Sequence, residues 1–155
     1  MDHDGPVLFD VATIALAHAG TPVSEPALDH VRKAISGDVT AIVPCSAVIG
    51  AYHVLRGVYK IDRQHASQLM RNFSSAKSIV WFGEMSKDIL RESLSILQDI
   101  SIDGWDSYYA RVAQITEANK IITLDDDFDK VPGLESDVIL SKRQFRILDD
   151  YLDDL

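Results

Sequence analysis

An apolar, β-branched run that empties into three consecutive carboxylates, KIITLDDDF at residues 120–128, constrains this chain more than any other stretch. Ile121, Ile122, Thr123 and Leu124 suit a short buried strand. In an open parallel sheet, ligands bind beyond the carboxyl ends of the strands, so Asp125 is expected at the rim where such sites lie. The N-terminus repeats the design: Val7, Leu8 and Phe9 lead into Asp10. Two strands of this kind, each ending in Asp, suggest one acidic pocket built from opposite ends of the sequence.

The rest of the chain alternates in the same way. Strands are expected at residues 7–10, 39–43, 78–82 and 121–124, with a short edge strand at 138–140. Helices are expected at 12–19, from Ser24 to Gly37, at 46–58, 62–73, 86–100, 105–117 and 144–155. Ile89, Leu90, Leu94 and Leu97 fall on one face of the fifth helix, and Asn119 is placed to cap the sixth. Phe145, Leu148, Tyr151, Leu152 and Leu155 form the apolar side of the last, while Asp149, Asp150, Asp153 and Asp154 read as its solvated face. Strands alternating with helices predict an α/β fold with a mostly parallel sheet. With no repeat or linker, residues 1–155 are expected to form one domain that includes a C-terminal amphipathic helix at about 142–155.

Composition narrows the classes. The hydrophobic fraction of 46% and charged fraction of 25% are ordinary for a globular protein. No apolar run approaches a membrane span, and the Met1-Asp-His-Asp opening is the opposite of a basic leader, so a cytoplasmic protein with no membrane contact is expected. The single Cys45 rules out an internal disulfide and a cysteine-rich zinc site; between an apolar run and a helix it reads as an inert core thiol. A net charge of −9 argues against a broad basic surface for nucleic acid. A bound divalent cation or a basic partner can still supply local positive charge.

Asp106 is the third acid of interest, because it opens a helix just after Trp105. Helix capping alone explains an Asp there. The functional reading rests on its neighbours: if that helix packs on the sheet, Asp106 and Asp125 converge. Clustered carboxylates raise one another's pKa unless a cation neutralises them. Hard oxygen ligands suit Mg²⁺ or Mn²⁺, which can activate water and offset charge in a phosphoryl displacement. Metal-assisted phosphodiester hydrolysis therefore fits these residues better than acyl transfer.

VLFDVATIALAHA resembles the opening of a PIN-domain ribonuclease, the fold of VapC-type toxins. PCSAVIGAYHVLRGVY, after the second strand, matches the family's layout. ISIDGWDSYYARVAQITEANKIITLDDDF is similar to its third and fourth acidic motifs, a helix-opening Asp and then T-x-D-x-D-F. The resemblance runs from about residue 7 to 138. It implies a three-layer α/β/α sandwich whose acidic pocket binds Mg²⁺ or Mn²⁺ and cleaves RNA. It further implies the toxin half of a type II toxin–antitoxin pair, with an antitoxin protein as partner and a homodimer by analogy. Carried over by position, Asp10, Asp106 and Asp125 are catalytic acids and metal ligands, and Asp127 is an accessory ligand.

One departure matters. The family usually places a Glu on the helix after the second strand, where this chain has Gly50, and no Glu or Asp occurs between residues 40 and 61. A second reading follows, a PIN-like module that binds RNA or protein without cleaving, with Asp103 and Asp129 as candidates to fill the gap. His53, three residues after Gly50, is a substitute ligand or a partly buried structural histidine. Thr13 and Thr123 either orient carboxylates or serve as cap and strand residues. Tyr108, Tyr109, Trp81 and Trp105 either stack on bases or pack in a core or dimer. A haloacid-dehalogenase-like phosphatase is a third reading, but its D-x-D-x-T motif meets Ala12 where the general acid belongs. The remaining alternative is an α/β domain whose Asp residues only cap helices and end strands.

Overall fold

Val7, Leu8 and Phe9 are all buried, which is possible for a strand only when both faces of its sheet are covered. The structure, a computed structural model, describes residues 5–155, so the acidic opening at residues 1–4 lies outside it. Its elements run β1 (Val7–Phe9), α1 (Val11–Ala19), α2 (Glu25–Ser36), β2 (Ala41–Pro44), α3 (Cys45–Gly57), α4 (Arg63–Phe73) and β3 (Val80–Phe82). Then follow α5 (Lys87–Asp99), α6 (Gly104–Ile115), β4 (Lys120–Thr123), a 3-10 turn (Asp127–Lys130), β5 (Glu135–Val138) and α7 (Lys142–Asp153).

The five strands form one sheet in the order β3-β2-β1-β4-β5, and every pairing is parallel. Right-handed crossovers dictate the layers. Progress from β1 to β3 puts α1–α4 on one face, and the return from β3 to β4 puts α5 and α6 on the other. The packing agrees: α1 contacts α2 and α3, α3 contacts α4, and α5 contacts α6. The expected α/β/α sandwich is therefore present, with a sheet that is wholly parallel.

Local chemistry sets most boundaries. Asp62, Ser86 and Ser141 cap α4, α5 and α7, each accepting a hydrogen bond from a backbone N–H three residues on. Ser141 and Gln144 complete a capping box. Ser24 instead turns its hydroxyl back to accept from Thr21 N at 2.9 Å. Asn119 does not end α6: Glu117 takes the left-handed conformation (φ 61°), and the Asn119 carbonyl accepts from Glu135 N at 2.8 Å. That bond starts the edge strand at Glu135 rather than at residue 138.

Two burial expectations are corrected. Cys45 is exposed, because it is the first residue of α3 and lies past the carboxyl edge of the sheet. In α5 the inward row is Ile89, Ser93 and Ile96, while Leu90 and Leu94 are exposed. The helix is rotated by one residue, about 100°, from its most apolar face. The carboxylates of the last helix are exposed as expected.

Candidate metal centre

The chain reverses its direction of travel across the sheet between β1 and β4: β2 and β3 extend to one side and β5 to the other. Such a switch point opens a crevice at the carboxyl ends of the two strands. Phe9 pairs with Ile122 there, so the residues that follow, Asp10 and Thr123, emerge side by side.

Asp10 is buried, with only 5% of its surface exposed. It caps α1: Oδ1 accepts from Thr13 N at 3.0 Å, and Oδ2 accepts from the Thr123 hydroxyl at 2.6 Å. The Thr13 hydroxyl donates to the Ile122 carbonyl at 2.8 Å, tying α1 to β4. Burial pushes the Asp10 carboxyl up to about 6; the bonds from Thr123 and Thr13 act against that rise, and the nearby Asp125 adds to it. The Thr123 side chain thus holds the Asp10 carboxylate, whereas Thr13 meets it through its backbone N–H as part of the helix cap.

Asp106 stands in the first turn of α6, but it is not the cap. Asp103 takes that position, accepting from Trp105 N at 2.8 Å. Asp106 thus makes no capping hydrogen bond, although its place in the first turn still suits the helix dipole. Its carboxyl is pushed up to about 7, first by burial and then by repulsion from Asp125, Asp10, Asp103 and Asp127. Asp125 is exposed at the end of β4; its N–H donates to the Thr123 hydroxyl at 3.3 Å, and its Oδ1 accepts from Asp127 N at 2.9 Å. That turn aims Asp127 at the same place, where one carboxylate oxygen each from Asp106, Asp125 and Asp127 lies within 4.8 Å of the others. Asp10 sits behind this trio, close enough to raise Asp106 but with both its own oxygens engaged.

The donor set fits a hard divalent cation: three carboxylates, no sulfur, and mutual repulsion that a cation would relieve. One protein cation already attends it, because Lys130 Nζ lies 3.1 Å from Asp127 Oδ1. The three-residue spacing of Asp127 and Lys130 was the available sequence signal for that pair.

Gly50 lies at a tight packing point. A Cβ built there would lie 2.8 Å from Val11 Cγ2 and 3.3 Å from Cγ1, because α1 and α3 pack closely at this point. Any side chain at position 50, a Glu included, forces Val11 to move. Neither candidate substitute belongs to the carboxylate trio: Asp103 caps α6, and Asp129 accepts from Ser136 N at 2.6 Å. His53 is exposed on α3, stacked edge-on against Tyr52, and is not part of the carboxylate cluster. Tyr108 and Tyr109 are buried, while Trp105 is 56% exposed and lies against Tyr109 at 6.2 Å between ring centroids.

The sequence matches no protein-family model and no curated protein. The structure is similar to the crystal structure of VapC20 from Mycobacterium tuberculosis, a Sarcin-Ricin loop cleaving toxin. The TM-score is 0.65 at 12% identity, over 81% of this chain and 95% of that one. The chain has a VapC-like PIN fold.

Proposed function

We propose that this protein is a divalent-metal-dependent ribonuclease of the VapC type, the toxin of a toxin–antitoxin pair, acting on RNA in the cytoplasm and restrained by an antitoxin protein. The observation that carries the reading is the convergence of Asp106, Asp125 and Asp127 at the switch point, in front of the buried Asp10. Asp106, Asp125 and Asp127 would hold Mg²⁺ or Mn²⁺, with Asp10 completing the acidic wall behind them. The ion supplies Lewis-acid polarisation of water and phosphate. The chain's own part is positional: Thr123 and Thr13 fix Asp10, the Asp125–Asp127 turn fixes two ligands, and Asp106 takes up a proton when no cation is near.

The absence of an acid at Gly50 favours one competing reading, a module that binds without cleaving. Cleavage of a pool of structured RNAs with Mn²⁺ or Mg²⁺ separates the two. Metal-dependent cleavage that is lost in Asp106→Asn and Asp10→Asn supports the nuclease. Absence of cleavage by folded wild-type protein with either metal selects the binding module.

A further inference from the structure

The acids and bases of this chain are segregated. Of 24 acidic residues only Asp62 lies between Asp38 and Glu84, where Arg56, Lys60, Arg63, Arg71 and Lys77 are found: a local charge of +4 in a chain of −9. All five cations are exposed. Among the described residues the ion pairs are Arg32–Glu25, Lys33–Asp29, Arg111–Glu92 and Lys130–Asp127, so none of the five is neutralised by one. The α3–α4 layer is therefore a basic face on an acidic molecule.

Its relief is equally specific. A cavity of about 540 Å³ opens between α3, α4 and β3, lined by Tyr52, Trp81 and Arg71 among others. A shallower one of about 460 Å³ continues along α3 at Tyr52, His53, Arg56 and Gly57. The two share Tyr52, so Trp81, Arg71, Tyr52 and Arg56 line one continuous track, together with the apolar Val48, Ile49 and Met70. Trp81 is held in place: its Nε1 donates to the Ala76 carbonyl at 2.9 Å, and Phe73 meets it edge-on at 5.5 Å. The track begins at Cys45, the first residue of α3, just past the carboxyl end of β2, the edge of the sheet at which Asp10 and Asp125 also stand. A chain lying along α3, about 20 Å long, would thus run toward the edge of the sheet that carries the acids.

We infer that the α3–α4 face is the docking surface for a single RNA strand, with Tyr52 and Trp81 as base platforms and Arg56 and Arg71 as phosphate contacts. Charge complementarity selects a polyanion, and the aromatic faces select one with bases, since single strands bind through a basic track with stacking platforms. The inference rests on the ribonuclease reading for its choice of RNA and for the direction of the strand toward the acids.

The test is fluorescence anisotropy of a short labelled oligouridylate in EDTA, so that nothing is cleaved, at several salt concentrations. Wild type is expected to bind with a steep salt dependence. Arg56→Ala/Arg71→Ala should bind about tenfold more weakly, with a salt slope shallower by about 1.4, or about 0.7 for each lost phosphate contact. Tyr52→Leu should weaken binding without changing the slope. Lys142→Ala/Arg143→Ala on α7 should bind as wild type does. Matching thermal melts by circular dichroism establish that each variant is folded. Unchanged affinity and slope in the double Arg variant overturn the inference. So does competition by polyglutamate as effective as competition by unlabelled RNA, which assigns the face to an acidic protein. Binding lost in the Arg variant while no protein cleaves RNA supports the docking surface and removes the nuclease. Cleavage that proceeds with unchanged KM in the Arg variant does the reverse.

Discussion

Thr123 serves the acids of two strands at once: its hydroxyl donates to Asp10 Oδ2 at 2.6 Å and accepts from Asp125 N at 3.3 Å. Thr123→Val would leave a buried carboxylate oxygen without a donor. We expect a loss of about 1–3 kcal/mol in urea denaturation. The loss should be larger at pH 8 than at pH 5, because the bond favours the ionised form of Asp10, and Thr123→Ser should restore most of it. Gly50 offers a second test at this scale. Adding a methyl to a tight contact costs about 1–3 kcal/mol, against a helix-propensity gain of about 1 kcal/mol. Gly50→Ala should therefore be neutral to destabilising in the wild-type background and stabilising by about 1 kcal/mol in a Val11→Ala background, where the nearest atoms at 2.8 and 3.3 Å are gone. Equal effects in the two backgrounds would show that Val11 is not the obstacle.

At the scale of elements, α6 separates two aspartates that lie three residues apart. Asp103 caps the start of the helix and Asp106 belongs to the cluster. Asp103→Ala should cost about 0.5–2 kcal/mol by thermal melting, with Asp103→Asn close to wild type and Mn²⁺ affinity little changed in both. Asp106→Asn should do the opposite: hold or raise the stability of the metal-free protein and abolish stabilisation by Mn²⁺. A fall in stability for Asp106→Asn as large as for Asp103→Ala would assign Asp106 a structural role. Helix α5 carries a different lesson. Its most apolar face is the periodicity a reader of the sequence would bury, yet the row through Ile89 and Ser93 is the one that turns inward. Ser93 tolerates this because its hydroxyl donates to the Ile89 carbonyl at 2.8 Å, and its own carbonyl accepts from the buried Ser107 hydroxyl at 2.7 Å.

For the whole molecule, the acids at the switch point make stability depend on pH in a defined direction. Asp10 and Asp106 titrate at about 6 and about 7 in the folded chain, above the ordinary carboxylate value, so the folded state binds more protons than the unfolded one between about pH 4 and 7. The contribution of the site to stability is complete below about pH 4 and is lost as pH rises through 6 and 7. In EDTA, Tm should fall from pH 5 to pH 8, and Asp106→Asn should fall less. Mn²⁺ should raise Tm at pH 8 and have little effect at pH 5, where protonated carboxyls cannot ligate. An Asp106→Asn curve parallel to wild type would mean that Asp106 is an ordinary surface carboxylate.

The sequence by itself determined the α/β alternation and the two acid-terminated strands, because a β-branched run, a helix cap and a turn residue are local signals written in neighbouring positions. It also carried the four acids of the candidate site, since the fold sets each near the end of a strand or the start of a helix. Only the tertiary structure decided which of those acids converge. Asp127 joins the trio through a turn closed on Asp125, while Asp10 is drawn behind it by Thr13 and Thr123, a residue 113 positions away in the chain. The exposure of Cys45 and Leu94, the closeness of Val11 to Gly50 and the alignment of Arg71 with Tyr52 were likewise settled by the packing of elements. Periodicity fixes which residues share a face, but the rotation and approach of a helix are set by the neighbours it meets.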